Sequence, residues 1–586
     1  MVGDIIRDGA FGQVARYISK NKLLPYPEER PGFQCPNDYK SDASSTLPPT
    51  TRAETPYTFV DKDDKSTIDF GRSPSATDFS LATPGTLQSS EDPEKSLEKS
   101  DFTSTPALSR HDETAVDLEK VSSALSQSQG PRRQEQAHLP TLENVRSQRQ
   151  VQELAEHDIE QALQPTPSAA IAPQKTSDGT ILVDWYTTDD QANPQNWSAK
   201  KKGFVTAIIM LYTTAVYLAG SIYAPAELGV IEHLGVSVTV ASLGLSLYVL
   251  GYGLGPLLWS PLSEIPAIGR NPIYIATFAI FTILAVPTAL VDNIGGLLVL
   301  RFLMGFFGSP ALATGGASLQ DMFSLIKLPY FLSLWALSAC LGPALGPIIS
   351  GFSVTANNWH WALWEVLWLA GPTFLVMFFF LPETNPSTIL LNRARRLRKE
   401  AARLDTSQNL MSQSEIDQGK LRFRAVAVEA LYRPFQLNFL DPSIAFTSVY
   451  TALMYALFYS FFEAFPLVYG DIYHFNLGEQ GLAFTSTAIG FGTATIAYFA
   501  WLFYWVNPRL MKHGLGPPEE RLLPGLAASF FMPIGMFIYG WTARPDIHWI
   551  VPSIGVSIVT FGVFVVFQCL FIYRKYTSFR RCLDIR

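Results

Sequence analysis

The stretch LGPLLWSPLSEIPAIGRNP, from Leu254 to Pro272, is a short polar turn between two long apolar segments. It is punctuated by Pro and Gly, and it carries one acid, Glu264, and one base, Arg270, where the flanking segments carry almost no charge. Apolar runs of about 20 residues match the helix length that crosses about 30 Å of hydrocarbon. The stretch therefore predicts a hinge between two membrane-spanning helices.

Apolar runs of this length recur from Gly203 onward, whereas residues 1–202 are mostly polar. The whole-chain values, 48% hydrophobic residues and a net charge of −7, conceal this segregation. The pattern predicts an all-α integral membrane protein with about ten transmembrane helices. The predicted spans are 203–223, 238–262, 272–290, 294–318, 328–352, 361–381, 442–467, 482–506, 522–541 and 549–573.

The polar segments between the spans predict the domain boundaries. Residues 40–180 hold too few large apolar side chains to bury a core, which predicts a long disordered tail. Basic residues indicate the orientation: Lys200 to Lys202 precede the first span, whereas Arg544 is the basic residue of the outer loops. The predicted units are a cytosolic, mostly disordered N-terminal region at 1–202, a six-helix half at 203–381, a cytosolic basic linker at 382–440, a four-helix half at 441–573 and a cytosolic tail at 574–586.

Two predicted helices lie outside the spans. The linker sequence RARRLRKEAARL predicts a basic surface helix that touches anionic headgroups, in preference to a nucleic-acid-binding helix. Residues 1–22 predict a short helix with Ile6, Val14, Tyr17 and Ile18 on one face. Two interpretations stay open for it: a helix on the cytosolic membrane surface, or an ordinary, partly ordered tail helix.

Several kinds of chemistry are not supported by the sequence. There is no Gly-x-x-x-x-Gly-Lys-Ser/Thr loop, no His-Glu-x-x-His pair and no Gly-x-Ser-x-Gly elbow. The four cysteines are not paired at metal or redox spacing. We therefore predict a protein that is not an enzyme and that has no cofactor, no metal and no nucleic-acid partner. The cysteines are Cys35, Cys340, Cys569 and Cys582.

Arg301 and Glu463 are charged residues within predicted spans. Arg301, in the fourth span, should face a protein interior or wet cavity and have a partner, because a charge at bilayer depth costs about 2.5–3.5 kcal/mol. The alternative is a position near a helix end, from which the side chain reaches outward. Glu463 lies near the outer end of the seventh span and is interpreted either as a proton carrier or as an acid exposed at the outer interface.

Aromatic residues near these charges are candidates for a substrate cavity. Phenol and phenyl rings suit a roomy apolar cavity, but a belt of aromatic residues at the membrane interface is the default explanation for them. The candidates are Tyr223, Tyr455, Tyr459 and Phe465. In the fifth span, LGPALGPIISGF places Gly342 and Gly346 on one face, while Pro343 and Pro347 each remove a backbone donor. These two Gly-Pro units, together with the following Gly351, predict a helix that bends or slides against another helix.

The phrases GPLLWSPLSEIPAIGRNP, RFLMGFFGSPALATGGAS, LGPALGPIISGF, PQNW and LPETNP together resemble the fungal drug:proton antiporter family of the major facilitator superfamily. The opening residues resemble its branch of benomyl, methotrexate and cycloheximide resistance exporters. The resemblance implies a cytosolic gate motif at Glu264, Gly269 and Arg270, where Glu264 replaces the usual Asp. It also implies a proton-coupling motif at Arg301 and an antiporter motif from Gly342 to Gly351.

The family has about twelve spans, so the resemblance also implies that the last two are lacking here. From it we expect a major facilitator bundle that is a monomer in the plasma membrane and whose partners are amphipathic small molecules, protons and membrane lipids. The rival hypotheses are a truncated, non-transporting membrane protein or sensor and, among transporters, a polyamine exporter.

Overall fold

The computed structural model describes residues 2–30, 33, 168, 170, 171, 173, 180–324, 326–403, 409–418, 432, 435, 436, 438–440, 442–513 and 518–584. Most of the segment predicted to be disordered, residues 40–180, lies outside the described residues. The remainder is mainly helical. Ten helical segments of the described residues are long and apolar enough to cross a membrane, which agrees with the ten predicted spans. They are span 1 (Ala199–Leu234), span 2 (Val238–Glu264), span 3 (Arg270–Leu290), span 4 (Ile294–Met322), span 5 (Leu328–Ala356), span 6 (His360–Phe380), span 7 (Pro442–Ile472), span 8 (Leu477–Lys512), span 9 (Glu519–Thr542) and span 10 (Ile550–Tyr573).

Several spans are interrupted, often at or near a proline, which lacks the N–H needed to continue the helical ladder. Span 1 contains helices Ala199–Ser221 and Glu227–Leu234, joined by the 3₁₀ turn Ala224–Ala226. Span 4 consists of helices Ile294–Gly308 and Pro310–Met322, and span 7 of helix Pro442–Phe465 and the π-helix Pro466–Ile472. Span 8 consists of helices Leu477–Ala483 and Thr485–Trp501, the π-helix Leu502–Val506 and helix Asn507–His513. Span 9 begins in the 3₁₀ turn Pro518–Leu522 and continues in helices Leu523–Ala528 and Phe531–Thr542. The helix of span 10 runs over Ile550–Asp584.

The spans pack in a defined set of pairs. Within the first half, span 5 packs on span 1, span 2 on span 4 and span 3 on span 6; within the second, spans 8 and 9 pack on span 10. Span 5 also packs on span 8, so it connects the first six spans to the last four. Large apolar side chains such as Ile283, Trp368, Phe446 and Ile496 are exposed on the outside of the bundle, as expected where lipid is the solvent.

Outside the spans, parts of the N-terminal region and the linker fold together. Helices α1 (Val2–Asp8) and α2 (Ala10–Ile18) precede the 3₁₀ turn Pro27–Glu29, and a second such turn covers Pro194–Asn196. The linker contains α3 (Pro386–Arg403) and α4 (Gln413–Gln418). Strand β1 (Ile181–Val183) pairs in parallel with β2 (Leu410–Ser412), with Ile181 opposite Leu410.

The predicted basic linker helix exists as α3, but one of its arginines is buried rather than solvated. Arg393 donates a hydrogen bond of 2.7 Å to Asp190, and its Nε lies 3.5 Å from a carboxylate oxygen of Glu28. Arg396 lies 3.4 Å from the other oxygen of Glu28. Burial tends to raise the pKa of Asp190, but the hydrogen bond and charge of Arg393, together with backbone hydrogen bonds, outweigh burial and lower the pKa. These ion pairs attach two N-terminal segments to the linker helix.

Candidate functional site

Arg301 is fully buried near the beginning of span 4, so its side chain does not reach outward to the interface. All three guanidinium nitrogens donate to backbone carbonyls: Nε to Gly244 at 3.1 Å, Nη1 to Ala219 at 2.6 Å and Nη2 to Gly220 at 2.8 Å. The guanidinium carbon lies 4.9 Å from the ring centre of Tyr223 and 4.7 Å from that of Tyr248. Arg301 thus joins span 4 to spans 1 and 2.

The break in span 1 explains why this position accepts an arginine. Ala219 and Gly220 lie in the last turn of helix Ala199–Ser221, where backbone carbonyls lack intrahelical partners. This end of a helix also carries a partial negative charge, which favours a cation. Arg301 therefore caps the helix that the following turn interrupts. The two flanking rings are fixed in turn, because Tyr223 donates to the carbonyl of Ala241 at 3.0 Å and Tyr248 to that of Val216 at 2.6 Å.

The structure adds an acidic residue that the sequence analysis did not identify. Glu227 begins the second helix of span 1 and accepts a hydrogen bond of 3.2 Å from the hydroxyl of Ser242. Its other oxygen is buried and has no hydrogen-bond partner among the described residues. Glu227 interacts electrostatically with both Arg301 and Glu463. Because Glu463 belongs to span 7, the two carboxylates whose charges influence each other lie on different halves of the bundle.

Glu463 is exposed, whereas its aromatic neighbours on span 7 are buried. Phe461 and Phe465 pack against Tyr539 of span 9, with ring centres 5.4 and 6.3 Å away. Phe462 stacks on Phe484 of span 8 at 5.0 Å. The aromatic rings therefore build the interior of the second half, and the side chain of Glu463 is exposed.

The four candidates for a substrate cavity occupy two kinds of position. Tyr223 and Phe465 are fully buried within their own halves. Tyr455 and Tyr459 of span 7 instead meet Tyr252 of span 2: the hydroxyl of Tyr252 bonds to that of Tyr455 and lies 3.2 Å from that of Tyr459. The hydroxyls of Tyr455 and Tyr459 are also 3.2 Å apart. Only the latter pair lies where a molecule passing between the halves would touch it.

A cavity of about 230 Å³ lies between spans 4, 5 and 10. Its lining is mainly apolar and includes Leu312, Leu332, Trp335 and Phe571, together with the amide of Gln568. The oxygen of Gln568 lies 3.3 Å from the hydroxyl of Ser333, while its buried Nε2 has no hydrogen-bond partner among the described residues. The cavity thus offers the amides of Gln568 and Gln320 within mainly apolar walls.

The turn between spans 2 and 3 is held by two acids from elsewhere in the first half. Arg270 donates from Nε and Nη2 to Asp321 at the end of span 4, at 2.7 and 3.2 Å. Glu383, which follows span 6, accepts from the backbone N–H of Arg270 at 3.2 Å and of Asn271 at 3.0 Å, and so caps span 3. Burial raises the pKa of Glu383, although backbone hydrogen bonds oppose the shift. Glu264 is exposed at the end of span 2.

Gly269 provides the backbone conformation and the space that this arrangement requires. Its φ of +83° lies in the left-handed region, which L side chains rarely adopt. A Cβ atom there would also lie 3.0 Å from the methyl group of Thr388 and 3.1 Å from the carboxyl carbon of Glu383. A side chain at position 269 would therefore disturb the cap of span 3.

The glycines of span 5 face two different helices. A Cβ atom at Gly342 would lie 2.7 Å from the Cβ of Tyr217, and one at Gly346 would lie 2.8 Å from the backbone nitrogen of Ile222. Gly351 faces span 8, where a Cβ atom would lie 2.5 Å from the carbonyl oxygen of Leu477. Pro343 and Pro347 lie inside the same continuous helix. Span 5 thus makes backbone contact with both halves.

Comparison with known proteins adds an independent line of argument. The sequence profile of the Major Facilitator Superfamily matches residues 209–574. The chain is 47% identical over 402 residues to the MFS-type transporter pyvG of Aspergillus violaceofuscus, which covers 68% of this chain and 73% of that protein. It is 40% identical over 397 residues to the cycloheximide resistance protein of Candida maltosa, covering 67% and 71% of the two chains. It is also 40% identical over 414 residues to fluconazole resistance protein 1 of Saccharomyces cerevisiae, covering 70% and 73%.

Proposed function

The chain belongs to the major facilitator superfamily, and we propose that it exports amphipathic organic molecules across the plasma membrane in exchange for protons. Its family makes it a multi-span membrane transporter rather than an enzyme. Two of its relatives are named for resistance to cycloheximide and fluconazole, which supports drugs or toxic metabolites as the substrate class. The observation that supports proton exchange is the set formed by Arg301, Glu227 and Glu463, in which the charges of Glu227 and Glu463 interact across the two halves.

Glu227 and Glu463 supply the proton-binding groups of this scheme. When both carboxylates are ionised they repel each other, and this repulsion favours separation of the two halves at their end of the bundle. Uptake of a proton by either carboxylate removes the repulsion and lets the halves approach there. Arg301 stays fixed by its three carbonyl bonds and attracts the ionised form of Glu227. Proton uptake on one side of the membrane and release on the other then reset the carrier.

The substrate passes between the halves. Tyr252, Tyr455 and Tyr459 offer ring faces and hydroxyl groups there, which suit a molecule with both apolar and polar parts. The cavity beside Gln568 offers mainly apolar walls and the unpartnered amide N–H of Gln568, which suits a substrate that carries a carbonyl or ring-nitrogen acceptor. Broad contact with apolar walls and few directional bonds permits several substrates of similar size.

The remaining motifs are assigned to the conformational change. The Arg270–Asp321 pair and the Glu383 cap keep the ends of spans 2, 3, 4 and 6 together as one body, which forms the cytosolic gate with Glu264. Gly346 and Gly351 let span 5 contact spans 1 and 8 through its backbone. Contact without interlocking side chains permits one half to slide against the other.

We assign the N-terminus to the cytosol and the functional unit to a monomer surrounded by membrane lipids. The orientation is supported by Lys200 to Lys202 before span 1 and by the basic sequence of α3, since positive residues favour the cytosolic side. Under this assignment the Arg301–Glu227–Glu463 set lies toward the outer surface. An epitope inserted before Ala199 should then be accessible to antibody only after the cell is permeabilised.

The proposal is tested by drug resistance in yeast that lacks its own drug exporters. Glu463→Gln, Glu227→Gln and Arg301→Ala should each abolish the resistance to cycloheximide that the wild-type chain confers, with unchanged protein at the cell surface. Glu232→Gln is the matched control, because it changes an exposed acid in the same short helix as Glu227 and should leave resistance intact. Full resistance in the Glu463 and Arg301 variants would refute the assignment of proton coupling. Equal sensitivity with and without the wild-type gene would instead favour a non-transporting protein.

A further inference from the structure

Helix α2 exposes its large apolar residues and buries the guanidinium of Arg16, the reverse of a helix that packs on a soluble core. Phe11, Val14, Tyr17 and Ile18 share one face and are 38%, 48%, 86% and 75% exposed. They recur at helical spacing over two turns. In water, such a face would be covered by the rest of the protein, so its exposure indicates that something else covers it.

The opposite face of α2 is held in place by polar contacts. Arg16 is 5% exposed and donates to Glu29 at 2.7 Å and to the carbonyl of Leu24 at 2.7 Å. Its guanidinium also lies 4.5 Å from the ring centre of Tyr26. These bonds fix the rotation of the helix about its axis. The apolar face therefore does not turn inward without breaking a buried ion pair.

The position of α2 places this face beside the lipid-facing surface of span 6. The ring of Phe11 lies 4.8 Å from that of Phe379 and 6.2 Å from that of Phe378, in the last turn of the span. Gly9, between α1 and α2, forms a backbone bridge to Pro382 just after the span ends. The apolar face is thus continuous with a surface that contacts lipid, at the depth where the hydrocarbon region ends.

We propose that the face formed by Phe11, Val14, Tyr17 and Ile18 inserts into the membrane leaflet next to the N-terminal end of span 1, and that α2 acts as an interfacial anchor. Exposed Lys20 and Lys22 follow the helix, where ammonium groups meet lipid phosphates, and Leu23 adds a further exposed apolar side chain. Because α2 contacts the turn that contains Glu29, and Glu28 in the same turn contacts α3, the anchor ties the linker helix to the bilayer surface.

The test uses the full chain in lipid nanodiscs, with its native cysteines replaced. An environment-sensitive fluorophore is attached at Tyr17→Cys or, as the control, at Gln191→Cys, an exposed position in the turn before span 1. We expect the Tyr17 probe to emit at shorter wavelength, to be quenched by lipids that carry a nitroxide on the acyl chain and to be protected from aqueous iodide. The Gln191 probe should respond to iodide and not to the lipid quencher.

Three outcomes would overturn the proposal. Iodide quenching at Tyr17 equal to that at Gln191 would mean that water covers the face. Protection from both quenchers would mean that protein covers it, either a second copy or another part of the chain. Lipid quenching that persists after Ile18→Asp and Val14→Asp, with the probe still at position 17, would mean that the apolar face does not cause the insertion. Loss of lipid quenching in that variant, with thermal unfolding unchanged, supports the anchor.

Discussion

Replacing Arg301 by Lys and, separately, by Met distinguishes a hydrogen-bonded cap from a simple buried charge. The guanidinium reaches carbonyls on two different helices, Ala219 and Gly220 on span 1 and Gly244 on span 2. Lysine keeps the charge but presents a compact ammonium on a single stem, which does not reproduce a planar fork. Methionine removes the charge and fills a similar volume. Both variants should lose drug export, because neither holds Glu227 and the broken end of span 1 in place.

The two variants should differ in stability. Each of the three charge-assisted hydrogen bonds contributes about 1.5 kcal/mol to stability, which is the lower end of the usual range. Burying a charge at bilayer depth costs about 3 kcal/mol. Met forfeits all three bonds but avoids the cost of burying a charge, so we expect a loss of about 1.5 kcal/mol. Lys keeps that cost and retains one of the three bonds, so we expect a loss of about 3 kcal/mol.

Thermal unfolding, followed by the fluorescence of the 12 tryptophans, ranks the stabilities of the purified wild type, Arg301→Lys and Arg301→Met. Arg544→Lys is the matched control, because Arg544 is exposed in the loop after span 9 and its replacement should change stability by less than about 0.5 kcal/mol. A Lys variant as stable as the wild type beside a strongly destabilised Met variant would show that the charge alone matters. That result would refute the capping argument.

Three further predictions concern other parts of the chain. Gly346→Ala should lower the unfolding free energy by about 1–3 kcal/mol, since its Cβ atom meets the backbone of span 1; Gly371→Ala, in open space on span 6, should be neutral or stabilising by about 0.5–1 kcal/mol in the same thermal assay. Gln568→Leu should leave stability unchanged but raise the substrate concentration at half-maximal export roughly fivefold for cycloheximide, because one donor to a substrate carbonyl is lost; equal export kinetics would contradict a role for this cavity. Burial tends to raise the pKa of Glu29, but the hydrogen bond and charge of Arg16, together with the backbone hydrogen bond from Tyr26, outweigh burial and lower the pKa below the usual 4.5. The pair therefore stabilises α2 above that pH, and its contribution is lost as pH falls through the lowered value. The extra amide-exchange protection of α2 in the wild type over Glu29→Gln should therefore disappear as the pH falls well below 4.5, and a difference that is constant with pH would contradict it.

The sequence was most informative about the membrane spans. Each apolar run from Gly203 onward became a helix in a candidate span, because lipid requires every backbone polar group to bond within its own segment. The buried position of Arg301 also followed from the cost of a charge at bilayer depth. The hydrogen-bond partners of Arg301 could not be predicted in this way, because they are backbone carbonyls at the end of a broken helix and every residue type carries such a carbonyl.

Features that depend on distant pairing were not predicted. Glu227 falls outside the predicted span 203–223, because the apolar run of span 1 stops near Pro225. The sequence feature that could have identified it is only an acid directly after a proline-containing turn. The pairing of β1 with β2 joins segments separated by the whole first half, and neither is long enough to predict a strand. The burial of Arg393 was likewise missed, because a basic run predicts a solvated face unless the acids that meet it are known.

The most direct test of proton exchange uses the purified protein in liposomes with a pH-sensitive dye and an acidic lumen that stands for the cell exterior. We predict that cycloheximide added outside accumulates in the lumen while the lumen becomes more alkaline, as protons leave in exchange. Glu463→Gln and Glu227→Gln should abolish both signals, and Glu232→Gln should preserve them. Accumulation of cycloheximide at the same rate without a pH gradient, and with no change in luminal pH, would contradict the account.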